Sequence, residues 1–157
     1  MKKIIITLFF FSSFYNASAD IVDTNVKKLK SLNSCVSCDL RGANLEGVRL
    51  RDANLTRANL EGANLKDAKL PWAEFYGANL SRANLDGVNL DNARLNGANL
   101  TEASLQGAHL YEASLEETNL EGANFEGAFL KKAILRRAIF CKTLTPWGID
   151  NSGCTKK

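Results

Sequence analysis

The chain has 157 residues, 24% of them charged, with twenty cations against seventeen carboxylates and a formal net charge of +3. That length holds one modest domain. The near balance of charge excludes both a basic stripe for nucleic acid and a strongly acidic surface, and a single histidine leaves little for histidine-based chemistry.

The first element is a processing signal. Lys2 and Lys3 precede an apolar run from Ile4 to Phe11 that only Thr7 interrupts, and Ala17-Ser18-Ala19 supplies the small residues of a cleavage site. Residues 1–19 are therefore expected to be removed near Ala19, leaving a secreted or periplasmic chain that begins at Asp20. The run is too short to span a bilayer and no stop-transfer segment follows, so the mature chain is expected to have no membrane span. No cysteine follows the cleavage site directly, which disfavours a lipid anchor there. Loss of Lys2 and Lys3 leaves eighteen cations against seventeen carboxylates. Residues 20–37 follow as an N-terminal cap, in which Val22, Val26, Leu29 and Leu32 share one face of a short helix begun by Asp23 or Thr24.

From Cys38 to Lys142 the sequence keeps a strict period of five. Every fifth position from Leu40 to Phe140 is Leu or Phe, twenty-one in all. Two residues before each stands a small residue: Ala in seventeen units, Val at 48 and 88, Thr at 118 and Cys at 38. A polar residue, usually Asn, lies between them. Period five suits neither a helix nor a long strand. It suits a coil in which each unit is one short side: the apolar pair turns to an inner axis, the middle residue faces outward and the last two make a corner. Gly fills nine of the twenty-one last positions and eases that corner. Because the other twelve are not Gly, a positive φ is not expected to be compulsory there.

Units such as Ala43-Asn44-Leu45-Glu46-Gly47 and Ala63-Asn64-Leu65-Lys66-Asp67 resemble those of the pentapeptide-repeat family. The likeness runs through residues 38–142 without a phase slip. It implies an all-β architecture, a right-handed quadrilateral β-helix with four units per coil and about five coils. At about 4.8 Å between stacked strands the rod is about 25 Å long.

Residues 143–157 contain Pro146, Trp147, Gly148 and Gly153 and read as a folded hook, a C-terminal cap. The outward position is apolar at Phe129, Ile134 and Ile139, which read together as a patch that needs cover. The tail with Trp147 is expected to fold over it; a partner or second copy is the alternative.

Four cysteines in an exported chain point to disulfides. With the coil length the resemblance implies, Cys35 and Cys38 lie far from Cys141, beyond the about 7 Å between Cα atoms that a disulfide spans. That leaves Cys35–Cys38 and Cys141–Cys154. For Cys35-Val36-Ser37-Cys38, redox chemistry and metal binding stand as alternatives to a structural bond.

Four units per coil put residues twenty apart on one side. Asn59, Asn79, Asn99 and Asn119 then form a column, as do Asn44, Asn64, Asn84, Ser104 and Asn124, and stacked amides would hold the register. A third side differs. Arg49, Arg51, Lys69, Trp72, His109, Tyr111, Phe129, Lys131 and Lys132, with Pro71, Asp91 and Glu112, give it the mixed charge and aromatic content of an interaction surface. Glu102 to Glu126 form an acidic belt ahead of a basic end, from Lys131 to Lys142, that could guide head-to-tail association.

No catalytic residue, metal site or cofactor is expected, because the acids stand scattered on a convex rod without a cleft. The function these readings favour is a non-enzymatic exported scaffold or protein-interaction module. Its partner is an unidentified protein, glycan or envelope component and not nucleic acid; its oligomeric state is open. The alternative is a DNA-mimicking topoisomerase modulator, known for some proteins this chain resembles. The leader and the near-neutral charge disfavour it.

Overall fold

The structure, a computed structural model, describes residues 6–154, with side chains described from Ser18 onward. The expected leader therefore falls partly outside the described residues, as do the last three residues of the tail. Helix α1 spans Ile6–Leu32. No glycine or proline occurs before Gly42 to interrupt it, so the expected start at Asp23 or Thr24 is overturned: the helix is already running there. It ends where Asn33 takes φ 52°, a left-handed stop. The Asn33 side-chain amide donates to the Arg51 carbonyl at 2.6 Å, and its own carbonyl accepts the Asn54 N–H. Leu29 is fully buried against the first coil, with Val22 and Val26 beside it. Leu32, expected on the same face, is 66% exposed.

The repeat builds a four-sided coil. Each outward residue pairs in parallel with the residue twenty positions on, from Ser34 with Asn54 to Asn124 with Leu144. The ladder thus reaches one side beyond 38–142 at each end, and it makes between five and six coils. Its hydrogen bonds repeat a single scheme. Leu80 N–H donates up to the Asn99 carbonyl, Asn99 N–H donates down to the Ala78 carbonyl, and Ala78 N–H closes its corner on the Phe75 carbonyl. The leucines, phenylalanines and alanines of the inner positions form one continuous core. No buried side-chain polar atom among the described residues lacks a partner. Thr118 and Thr143 occupy small-residue slots without cost because their hydroxyls donate to the Leu95 and Leu120 carbonyls, at 3.0 and 2.7 Å.

The corners correct one expectation. The last position of every unit has a positive φ, whether Gly or not: Arg57 at 57°, Trp72 at 59° and Lys142 at 53° match Gly42 at 62°. The reason lies in the stack. The N–H of that residue donates to the coil above, as Arg57 does to the Tyr76 carbonyl at 2.8 Å, and only a left-handed backbone aims it there. Residues with a Cβ bear a penalty of about 1–2 kcal/mol in that conformation. Arg57→Gly is accordingly expected to stabilise the protein by up to about 1 kcal/mol once the extra chain entropy of glycine is counted, raising the melting temperature by about 2–4 °C. A lowered melting temperature would show that the side chain matters more than the corner.

The outward asparagines do more than stack. Asn79 and Asn99 each donate to the Asn one coil below, at 3.1 and 3.3 Å. Their side-chain oxygens also accept the backbone N–H two residues on, from Ser81 and Thr101, an Asx turn that fixes the corner.

The tail forms β1 (Thr143–Thr145) and β2 (Gly148–Asp150), an antiparallel pair. Leu144 of β1 still pairs with Asn124, so β1 is a further side of the coil. The tail then hooks back. Gly153 N–H donates to the Phe140 carbonyl at 2.6 Å, and a Cβ on Gly153 would stand 2.7 Å from the Phe140 nitrogen, an approach that only glycine permits. The expected covering of Phe129, Ile134 and Ile139 by Trp147 does not occur. All four are exposed, Phe129 at 59% and Trp147 at 64%. Units of five turn successive outward residues through the four sides, so these three lie on three different sides and never form one patch.

Candidate interaction face

The third side assembles as its spacing requires. Arg49, Lys69, Asn89, His109 and Phe129 form one ladder, and the residues two and three further on make its corner. The Arg51 guanidinium lies 4.0 Å over the Trp72 ring, a cation–π contact on an open surface, and also faces Asp52 at 3.3 Å. Trp72 lines an open groove of 390 Å³ with Asp52, Glu74, Asn92 and Arg94. One coil higher, Asp91 accepts the Tyr111 N–H at 2.9 Å. At the top, the Lys132 ammonium donates to the Tyr111 hydroxyl at 2.9 Å and to Glu112 at 2.7 Å. The Lys132 hydrogen bond, with a further one from Tyr111, holds the Glu112 carboxyl below the usual carboxylate range and raises the Lys132 pKa. A carboxylate with a lowered pKa gives its contact above that range and loses it as pH falls through the lowered value. His109, the single histidine, stacks on Phe129 with ring centres 4.8 Å apart. Arg49, Lys69 and Lys131 are exposed beside them, as Pro71 is partly.

The result is a stripe of rings and charges along a convex side. Three aromatic side chains in it, Trp72, Tyr111 and Phe129, remain open to solvent. The arrangement offers flat apolar surface edged by guanidinium, ammonium and carboxylate groups, a composition suited to recognition. Among the described residues no group of three His, Cys, Asp or Glu side chains could hold a metal ion.

The cysteines mark the two ends. Cys35 and Cys38 are bonded, with Cα atoms 5.3 Å apart, and Cys141 and Cys154 are bonded, with Cα atoms 4.7 Å apart. Cys35 is buried in a leucine slot and Cys38 in an alanine slot. Thiol exchange needs a sulfur that an attacking thiolate can reach, and this bond lies inside the coil beneath α1. The acidic belt and the basic end are joined within the chain: Lys132 with Glu112, Arg136 with Glu116 and Arg137 with Glu117 pair across adjacent coils.

A family model described as pentapeptide repeats matches residues 34–71, 73–110 and 103–141. No curated protein matches the chain. Among solved structures, the pentapeptide repeat protein Rfr23 from the cyanobacterium Cyanothece 51142 is 33% identical, with 74% of this chain and 92% of that one covered and a TM-score of 0.72. QnrB1, a plasmid-mediated fluoroquinolone resistance protein, is 22% identical over 69% of this chain and 56% of its own length, with a TM-score of 0.65; at that identity the likeness concerns the fold alone. The period of five, the twenty-residue ladder and the family match agree, and the chain belongs to the pentapeptide-repeat family.

Proposed function

We propose that this protein is an exported, non-catalytic scaffold whose third side, from Arg49 and Arg51 to Lys131 and Lys132, binds a protein or an envelope component. The observation that carries the reading is a contrast between sides. The asparagine columns use their polar groups on one another and on their own corners, whereas the third side leaves Trp72, Tyr111 and Phe129 open. Exposed aromatic rings beside arginine are the residue types that dominate binding energy at interfaces. Export is supported by the leader-like residues 1–19 and by two disulfides. Cleavage near Ala19 would leave Val22, Val26 and Leu29, the α1 side chains that meet the core, in the mature chain. The right-handed sense of the coil belongs to the same family likeness.

Cross-linking and pull-down from the extracytoplasmic compartment test the proposal. Trp72→Ala and Tyr111→Ala are each expected to weaken capture roughly tenfold while the melting temperature stays near that of the unmodified protein. If both variants capture the same partners at full strength, the third side is only a solvated surface. The near-neutral charge, lacking a duplex-like run of acid, leaves the topoisomerase-modulator reading without a supporting surface.

A further inference from the structure

The two ends of the coil are finished differently. At the N-terminal end α1 lies on the first coil and buries Leu29 completely. At the C-terminal end the described residues of the tail finish two of four sides: β2 pairs with β1, and Gly153 bonds to Phe140. The other two sides, those of Phe129 and Ile134, have nothing above them among the described residues. There the N–H groups of Leu130, Lys132, Leu135 and Arg137 make no backbone hydrogen bond to a described residue, and the Ala128 and Ala133 carbonyls accept none from one. Leu130 and Leu135 are only partly buried, unlike the same positions in the coil below.

We propose that this open edge accepts an extended, acidic segment of another polypeptide, which adds two further sides to the coil by strand pairing. A free strand edge is a template for such addition. The chemistry of the occupant is read from the coil below. There, the two sides from His109 to Glu117 lie under the same edge, and Glu112, Glu116 and Glu117 pair with Lys132, Arg136 and Arg137. Between Gly127 and Ile149 the chain carries five cations and no carboxylate. Lys132, Arg136 and Arg137 are already paired with carboxylates below them, but Lys131 and Lys142 have no carboxylate partner among the described residues, so the upper rim keeps a surplus of positive charge that favours acid at the corners of the incoming segment. Its inward positions must be apolar to complete the burial of Leu130 and Leu135, and its outward positions meet Phe129 and Ile134. A second copy docked end to end through the same edge would instead set two rims with a surplus of positive charge against one another, which disfavours it.

The proposal concerns the upper edge of the coil, which includes the top of the third side at Phe129, and its test uses substitutions outside that side. The probe is a synthetic peptide of the sequence of residues 106–117, blocked at both termini, with binding to the full chain read by fluorescence anisotropy. In the stack, the N–H groups at positions 109 and 114 donate to the coil below. A peptide N-methylated at those two positions is expected to bind at least roughly tenfold more weakly, because strand addition needs those donors. Arg136→Gln together with Arg137→Gln, which leaves Glu116 and Glu117 without their partners below the edge, is expected to weaken the unmodified peptide roughly tenfold, with a melting temperature near that of the unmodified protein because both ion pairs are solvent-exposed. Three results would overturn the proposal: no binding at millimolar peptide, equal binding of the N-methylated peptide, or sedimentation showing that the edge is closed by a second copy. Trp72→Ala, three coils below the edge, should leave peptide binding intact, so failure here and failure of the third-side reading are separable.

Discussion

Replacing Leu100 by lysine is expected to unfold the central coils. Leu100 has no exposed surface, and its N–H donates to the Asn119 carbonyl at 2.8 Å. The substitution forfeits roughly 1.5–3 kcal/mol of apolar burial. It also places an ammonium in a dry axis without a carboxylate, at an effective cost of several kcal/mol. Together these rival the about 5–15 kcal/mol that holds a typical domain. Each coil is covered only by its neighbours, so the coils of Leu80 and Leu120 lose their cover as well. Thermal melting followed by circular dichroism reads the effect. Leu100→Met, which nearly conserves volume, should cost less than about 1.5 kcal/mol. A lysine variant that melts beside the unmodified protein would mean that Leu100 does not face the axis.

Cys154→Ser is expected to cost about 3 kcal/mol, since the Cys141–Cys154 bond closes the tail loop, with the cysteines thirteen positions apart. The loss should be local. The bond seats Gly153 against Phe140 and keeps β2 on β1, so amide exchange should quicken over Thr143–Asp150 while the coils near Leu60 stay protected. Uniform exchange along the whole chain would show instead that the tail and the coils unfold as one unit, and an unchanged melting temperature would remove the staple from the account of stability.

Much of this was legible because a period of five leaves few options. Leu or Phe at each fifth position, with Ala two before it, requires both to share an axis, and four sides per coil then place Trp72 on the same flank as Tyr111. The corners were not legible. Residues such as Arg57 and Glu102 at the corner argue, by side-chain identity, against a compulsory positive φ, whereas the stacked N–H requires one. Asparagine carries the signal for the corner: Asn79 and Asn99 stand two residues before a corner N–H, the spacing of an Asx turn. The tail misled for a geometric reason. Phe129, Ile134 and Ile139 are neighbours along the chain, yet they point in three directions, so no single aromatic ring could shelter them. Nor did the sequence reveal that the described part of the tail would finish half of the last coil, because that depends on where Gly153 lands.

The ladder of twenty has a consequence for how such a chain can lengthen or shorten. Removing one unit of five would turn everything beyond the cut by a quarter revolution and carry Tyr111 off the flank that holds Trp72. Removing four consecutive units would shorten the rod and keep every column aligned. The heritable module of this molecule is therefore the full revolution, even though its visible word is only five letters long.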